Sequence, residues 1–232
     1  MRQVQKKSTD KAKKKKLKSL GRITVTAGPT IEPIDPIRYI TNHSTGRMGY
    51  EIARAALNAG FQVTLISGPV NLKSPQKADL VKVQTACEMR SKVIENAKKS
   101  ECLIMTAAVS DFRVQSPSSE KIKKKDKLTL KLLKNPDILK QVADMKDLIR
   151  IGFALETKEP LKYAFRKLRD KKLDFIVVNS KSGSVDPFGP GKKEYTIITK
   201  TGEISAYKGI SKRQIAELII FKVTKEHENR KK

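Results

Sequence analysis

The chain has 232 residues, enough for one large domain or two small ones, and long enough to bury a core without disulfides or metals. No run approaches the ~18 apolar residues of a membrane span, and two isolated cysteines (Cys87, Cys102) with two histidines (His43, His227) exclude a disulfide framework and a Cys- or His-based zinc site and make a reducing cytoplasm the simplest setting. Fifty Lys+Arg against 24 Asp+Glu give a net charge of +26, which points to a polyanionic partner: nucleic acid, an anionic membrane surface or a phosphorylated small molecule.

Residues 1–20 hold nine Lys/Arg and one acid, Asp10, without apolar periodicity. They read as a disordered, solvated tail. The stretch lacks the apolar segment of a signal peptide. Residues 22–27 (RITVTA) form a β-branched strand, stopped by Gly28-Pro29-Thr30. A Pro-rich loop with an extended segment at 37–40 leads to Asn42-His43-Ser44-Thr45-Gly46-Arg47-Met48-Gly49. Residues 50–59 are a helix with Ile52, Ala55, Ala56 and Ala59 on one face, ended by Gly60. Strands at 61–67 and 81–85, a helix at 86–98 and an apolar strand at 102–108 (CLIMTAA) continue the alternation.

Residues 112–127 break it with Ser116-Pro117-Ser118-Ser119 and the run Lys121-Ile122-Lys123-Lys124-Lys125, read as a mobile basic flap. A strand at 128–133 follows. A helix starts at Asn135-Pro136-Asp137, with the proline in its first turn. Then come a strand at 150–154, a helix at 160–171, a strand at 174–178 and a Gly/Pro loop. A hairpin of 195–199 with 203–206 turns at Thr201-Gly202, and an amphipathic helix covers 211–225. Residues 226–232 read as a charged, fraying tail. This order predicts an α/β, Rossmann-like, mostly parallel sheet flanked by helices, with a basic flap and a C-terminal hairpin, in one domain spanning 21–225.

Ligands of such sheets sit beyond the carboxyl ends of the strands. Four segments there carry chemistry. In 42–49, Ser44 or Thr45 can cap the following helix, and Gly46 and Gly49 let backbone approach an anion at its N-terminus. Asn42 could donate to a carbonyl or oxyanion. A capped tight turn explains the same residues, and neither GxGxxG nor a Walker lysine is present. In Thr106-Ala107-Ala108-Val109-Ser110-Asp111, small residues leave room for a flat ring or a phosphate, and Asp111 could hold Mg²⁺ or a hydroxyl; a helix cap is the plainer alternative. The flap lysines either close over phosphates or are merely solvated. Phe153, in Gly152-Phe153-Ala154-Leu155-Glu156-Thr157, could line a base pocket or be an ordinary core residue, and Lys167 and Lys171 share one helix face, where like charges repel unless an anion bridges them. His43 beside Ser44 has no evident acid partner and makes no triad.

Taken together these segments resemble phosphopantothenate–cysteine ligase of coenzyme A biosynthesis. The resemblance rests on residues 26–30 (TAGPT), 32–40 (EPIDPIRYI) and 42–49 (NHSTGRMG). It continues in order through 107–112 (AAVSDF), 121–124 (KIKK), 133–138 (LKNPDI), 152–157 (GFALET), 172–179 (KLDFIVVN) and Phe188-Gly189. It implies a Rossmann-like fold and a homodimer. It also implies two half-reactions: the carboxylate of 4′-phosphopantothenate attacks the α-phosphate of CTP (or ATP), assisted by Mg²⁺ and releasing pyrophosphate, and the cysteine amine then displaces the nucleotide. By the same resemblance Asn42 acts on the acyl-nucleotide and Lys121 is the lid lysine at the triphosphate. Asp111 lies at the nucleotide, and at the metal if at all; Ala107, Pro136, Asp137, Ile138 and Phe153 frame the nucleotide, Lys167 and Lys171 contact it, and Gly46 and Arg47 join Asn42 on phosphopantothenate. Polyanionic substrates account for a basic body without nucleic acid.

Three departures stand out. Only a basic tail precedes the first strand, where bacterial members commonly carry a flavin-dependent decarboxylase, so the next step is expected of a separate protein. Ile31 occupies a position that is often basic, so a phosphate contact is lost or moved there. Ser110 stands where alanine is usual. The rival reading is a Rossmann-like module that holds RNA through the tail and flap; it predicts that deleting residues 1–20 abolishes the main activity. A dehydrogenase is opposed by the missing GxGxxG.

Overall fold

The computed structural model describes residues 20–124, 126–156, 159–180 and 191–231. The tail before Leu20, Lys125, Thr157 and the Phe188-Gly189 pair lie outside the described residues.

Among these residues an eight-stranded sheet forms from β1 (Arg22–Ala27), β4 (Gln62–Ser67), β5 (Asp79–Lys82), β6 (Cys102–Met105), β9 (Ile149–Glu156), β10 (Phe175–Ser180), β11 (Lys193–Thr199) and β12 (Ile204–Ile210). Its order is β12-β11-β10-β9-β6-β1-β4-β5, parallel from β5 to β10 and antiparallel through β11 and β12. The central strands are buried on both faces, which is why they read as continuous β-branched and apolar runs. The parallel part has the doubly wound order, in which the chain turns to opposite sides of β1 at β4 and β6. A crevice is therefore expected at the carboxyl ends of β1 and β6.

Two helical layers cover the sheet. On one face α1 (Arg47–Asn58) and α5 (Lys212–Arg230) pack Ile52, Ala53, Ala56, Ile215, Ile219 and Val223 against Ile23, Val25, Ile104 and Val177. On the other, α2 (Ala86–Ala97), α3 (Ile138–Gln141) and α4 (Pro160–Asp170) contribute Met89, Val93, Ile138, Leu139, Ala164 and Leu168. Thr85 caps α2, Pro160 opens α4, and Ser211 with Gln214 forms a capping box on α5.

Beyond shifts of a few residues at element ends, such as β6 stopping at Met105 and α1 starting at Arg47, the structure differs from the sequence expectations as follows. The Pro-rich loop contains a hairpin, β2 (Ile31–Pro33) with β3 (Tyr39–Thr41), whose three-residue strands are too short to show alternation. The stretch read wholly as flap begins with β7 (Phe112–Val114), paired to β8 (Leu132–Lys134); the strand expected at 128–133 is confined to this end. Pro136 precedes the helix rather than entering it, because Asp137 is the cap of α3 and accepts from the Lys140 N–H at 3.3 Å. Residues 226–230 are not a fraying tail: α5 runs to Arg230, whose guanidinium meets the buried Asp174 and the half-buried Glu226, while His227 packs edge-on against Phe61.

Candidate functional site

The floor of the crevice is the 106–111 segment, and threonines and asparagines pin it on both sides. Thr26 Oγ1 accepts from the N–H groups of Thr106 and Ala107, both at 3.1 Å, and Thr106 Oγ1 donates to Thr26 O at 2.6 Å. Ala108 N donates to Gly28 O at 2.9 Å, and Ser110 N to Thr30 Oγ1 at 2.9 Å. From the far side Asn135 Nδ2 donates to Ser110 O at 2.9 Å, while Arg113 holds Asn135 Oδ1 at 3.1 Å. Asn42, just past β3, donates from Nδ2 to Ala108 O (3.3 Å) and Val109 O (3.2 Å). A loop whose polar groups are mostly satisfied in this way is rigid before any ligand arrives.

Helix α1 begins at the same place. Its cap is Gly46 at φ +73°, in the left-handed region, and no side chain caps it. The expectation that Ser44 or Thr45 caps the helix is thus corrected: Ser44 Oγ accepts from Gly46 N outside the helix. First-turn N–H groups without a side-chain cap, with Arg47 beside them and no acidic residue in the turn, favour an anion. Gly49 is required by packing: a Cβ there would lie 2.6 Å from Ala27 Cβ and 2.8 Å from Thr26 O. That closeness brings the helix N-terminus down onto the floor.

These elements enclose a cavity of about 630 Å³. Its lining brings together Asn42, Gly46, Arg47, Ala107, Asp111, Pro136, Asp137, Ile138, Phe153, Lys167 and Lys171, eleven residues singled out in the sequence. Five cations (Arg47, Lys134, Lys167, Lys171, Lys212) face two carboxylates, Asp111 and Asp137. Asp137 pairs with Lys171 at 3.0 Å, so the expected repulsion between Lys167 and Lys171 is relieved from within the protein. Apolar groups (Ala107, Ile138, Leu139, Phe153) form a slot beside the cations. Such a cavity fits a flat ring attached to a multiply charged anion.

Lys121 does not line this cavity, against the expectation of a lid over it. Its neighbour Ile122 is bound through N–H and C=O to Asp35 and Arg38, at the tip of the β2–β3 hairpin. Ile31 does not line the cavity either, so its apolar side chain costs the cleft no cation. Among the described residues no three His, Cys, Asp or Glu side chains gather as a metal cage. Sequence reasoning missed Asn179, Tyr195 and Lys212, which complete the wall near the start of α5. Asn179 and Tyr195 are register partners across β10 and β11. Burial pushes the Tyr195 hydroxyl up to about 12, and among the described residues it has no hydrogen-bond partner. Its signal lay in long-range pairing, which the sequence does not display.

A doubly wound sheet with a crevice at its carboxyl edge defines an α/β protein of the Rossmann-like class, and the cations and apolar groups of that crevice suit a phosphorylated ligand. More narrowly, the chain belongs to the family of DNA/pantothenate metabolism flavoprotein C-terminal domains, whose pattern matches residues 19–226. It is 42% identical over 189 residues to the coenzyme A biosynthesis bifunctional protein CoaBC of Vibrio cholerae, covering 79% of this chain and 47% of that protein. The chain thus spans about half the length of the curated relatives it matches. Among solved structures, the C-terminal domain of a CoaBC protein superposes with TM-score 0.78 at 35% identity, over 91% of this chain and 97% of that one. The DNA/pantothenate metabolism flavoprotein of Streptococcus pneumoniae gives 0.76 at 25%, over 89% and 100%.

Proposed function

We propose that this protein is a phosphopantothenate–cysteine ligase acting in coenzyme A biosynthesis. The observation that carries the reading is the single cavity into which eleven of the predicted site residues converge, in a chain of this family. In the first half-reaction the carboxylate of 4′-phosphopantothenate forms a bond to the α-phosphorus of CTP, and the α–β phosphoanhydride breaks to release pyrophosphate. In the second, the cysteine amine forms an amide at the acyl carbon, the acyl–phosphate bond breaks, and CMP leaves with its electron pair. ATP is the competing nucleotide.

This chemistry asks a protein mainly to position groups and to neutralise charge. The Ala107–Ile138–Phe153 slot takes the base, and Lys167 and Lys171 the phosphates, with Asp137 yielding its pairing to the incoming anion. The α1 N-terminus with Arg47 takes phosphopantothenate. Asn42 orients the acyl carbonyl; its two bonds to loop carbonyls are long enough to exchange for a ligand. A Mg²⁺ would be held chiefly by nucleotide phosphates, with Asp111 as the protein carboxylate, and when bound it would neutralise charge on the leaving pyrophosphate.

We further assign the working unit to a homodimer. The hairpin and the β7–β8 pair expose Ile37, Tyr39, Phe112, Leu132 and Leu133, an apolar surface suited to a second copy. Lys121, at that hairpin's tip and outside its own cleft, would then serve the partner's. The product is then the substrate of a flavin-dependent decarboxylation. The reducing cytoplasm suits the free thiols of Cys87 and Cys102. The deciding experiment incubates the protein with phosphopantothenate, cysteine and each nucleoside triphosphate in turn. Cysteine-dependent amide formation matched by pyrophosphate, strongest with CTP, is expected, and it should survive deletion of residues 1–20. Activity lost with that deletion, or RNA retention without ligation, overturns the reading.

A further inference from the structure

Asp35 gathers more hydrogen bonds than a turn requires. Its side chain is 0% exposed. Oδ1 accepts from the N–H groups of Ile37 and Arg38, each at 2.9 Å, and closes the hairpin turn. Oδ2 accepts from Arg38 Nε at 3.0 Å and from Ile122 N at 3.1 Å, a residue 87 positions away. Arg38 in turn donates to Ile122 O at 3.0 Å, so both backbone polar groups of that residue are held. Ser118 N donates to Ile34 O at 2.9 Å and extends the attachment.

We infer that Asp35 is a positioning residue for the basic flap: it fixes Ile122, and with it the adjoining Lys121, to the hairpin tip, so that hairpin and flap present the lysine as one unit. A run of lysines alone would be solvated and free to move. Here a buried carboxylate and a guanidinium bind its backbone from both sides, and charge-assisted bonds of this kind are the stronger class. The Arg38 guanidinium beside Asp35 and the converging N–H groups hold its carboxyl well below the usual range, so the attachment persists across physiological pH. The consequence for catalysis rests on the proposed role of Lys121; the attachment itself does not.

The test uses the full chain. In Asp35→Asn the amide cannot accept all these donors, and hydrogen exchange at the Ile122 amide should rise at least tenfold. Tryptic cleavage after Lys123 and Lys124 should accelerate by a similar factor. Ile122→Pro deletes the donor while leaving Asp35 in place, and should show the same cleavage; it decides the question if Asp35→Asn fails to fold. In turnover assays Asp35→Asn should raise the KM for nucleotide about tenfold in the parent but no further in a Lys121→Gln background, whereas general weakening of the fold would act in both. Unchanged exchange and cleavage overturn the attachment. Faster exchange with an unchanged KM overturns its positioning role. If the parent ligates nothing, the functional reading fails, and exchange still decides whether Asp35 holds the flap.

Discussion

Three residues around the cleft separate packing from chemistry. Gly49 sits inside a helix, where alanine ordinarily gains up to ~1 kcal/mol. Here the added carbon meets the backbone oxygen of Thr26 at 2.8 Å and Thr106 Oγ1, itself tied to that oxygen, at 2.7 Å. Neither neighbour can give way, so overpacking at ~1–3 kcal/mol outweighs the propensity. Gly49→Ala should lower the urea midpoint. Tyr195→Phe should behave oppositely: its hydroxyl is buried with no hydrogen-bond partner among the described residues, so removal is neutral or stabilising, with the thermal midpoint unchanged or raised. Asn42→Asp replaces an amide donor with an acceptor facing two carbonyls. Product should fall by ~10²–10³ while pyrophosphate still forms, the loss typical of one oriented donor. Equal loss of both steps refutes the role given to Asn42.

Elements differ in how far the sequence specifies them. The buried strands β1, β4, β6 and β10 and the amphipathic helix α5 were legible because continuous apolar runs and helical periodicity are local signals. The β2–β3 hairpin was not, because its stability lies in distant partners: Ile31 N donates to Gln84 O at 2.9 Å, and Glu32 Oε1 accepts from Ala86 N at 2.9 Å. The cleft shows the same division. Asn42, Ala107 and Phe153 stand at recognisable strand ends, whereas Asn179, Tyr195 and Lys212 join them only through register and helix docking. Glu32 makes the docking of α2 testable. Burial pushes its carboxyl above the ordinary 4.5, against the opposing bond from Ala86. A group with a raised folded pKa contributes its stability below the unfolded value and loses it as pH rises through the folded one. Glu32→Gln keeps an acceptor for Ala86 without the charge. It should therefore raise the urea midpoint at pH 7–8, and the gain should vanish as pH falls through the 4.5 region.

At the scale of the molecule, the net charge of +26 opposes association, yet the hairpin and the β7–β8 pair leave Ile37 and Tyr39 more than half exposed. If two copies bury that apolar face, as proposed, each hairpin tip with its bound flap would be free to reach the partner's cleft. Sedimentation of the 26.0 kDa chain should accordingly show a dimer. Complementation tests whether sites are shared. Lys121→Gln and Asn42→Asp chains are each expected to be strongly impaired as homodimers. In a mixed dimer one cleft carries both defects and the other carries neither, because Asn42 belongs to the cleft and Lys121 arrives from the partner. Half of randomly assembled dimers are mixed, and half of their sites intact, so co-expression should restore about a quarter of parental turnover. If Lys121 instead folded back over its own cleft, every site in the mixture would keep one defect, and activity would not exceed the mean of the two variants.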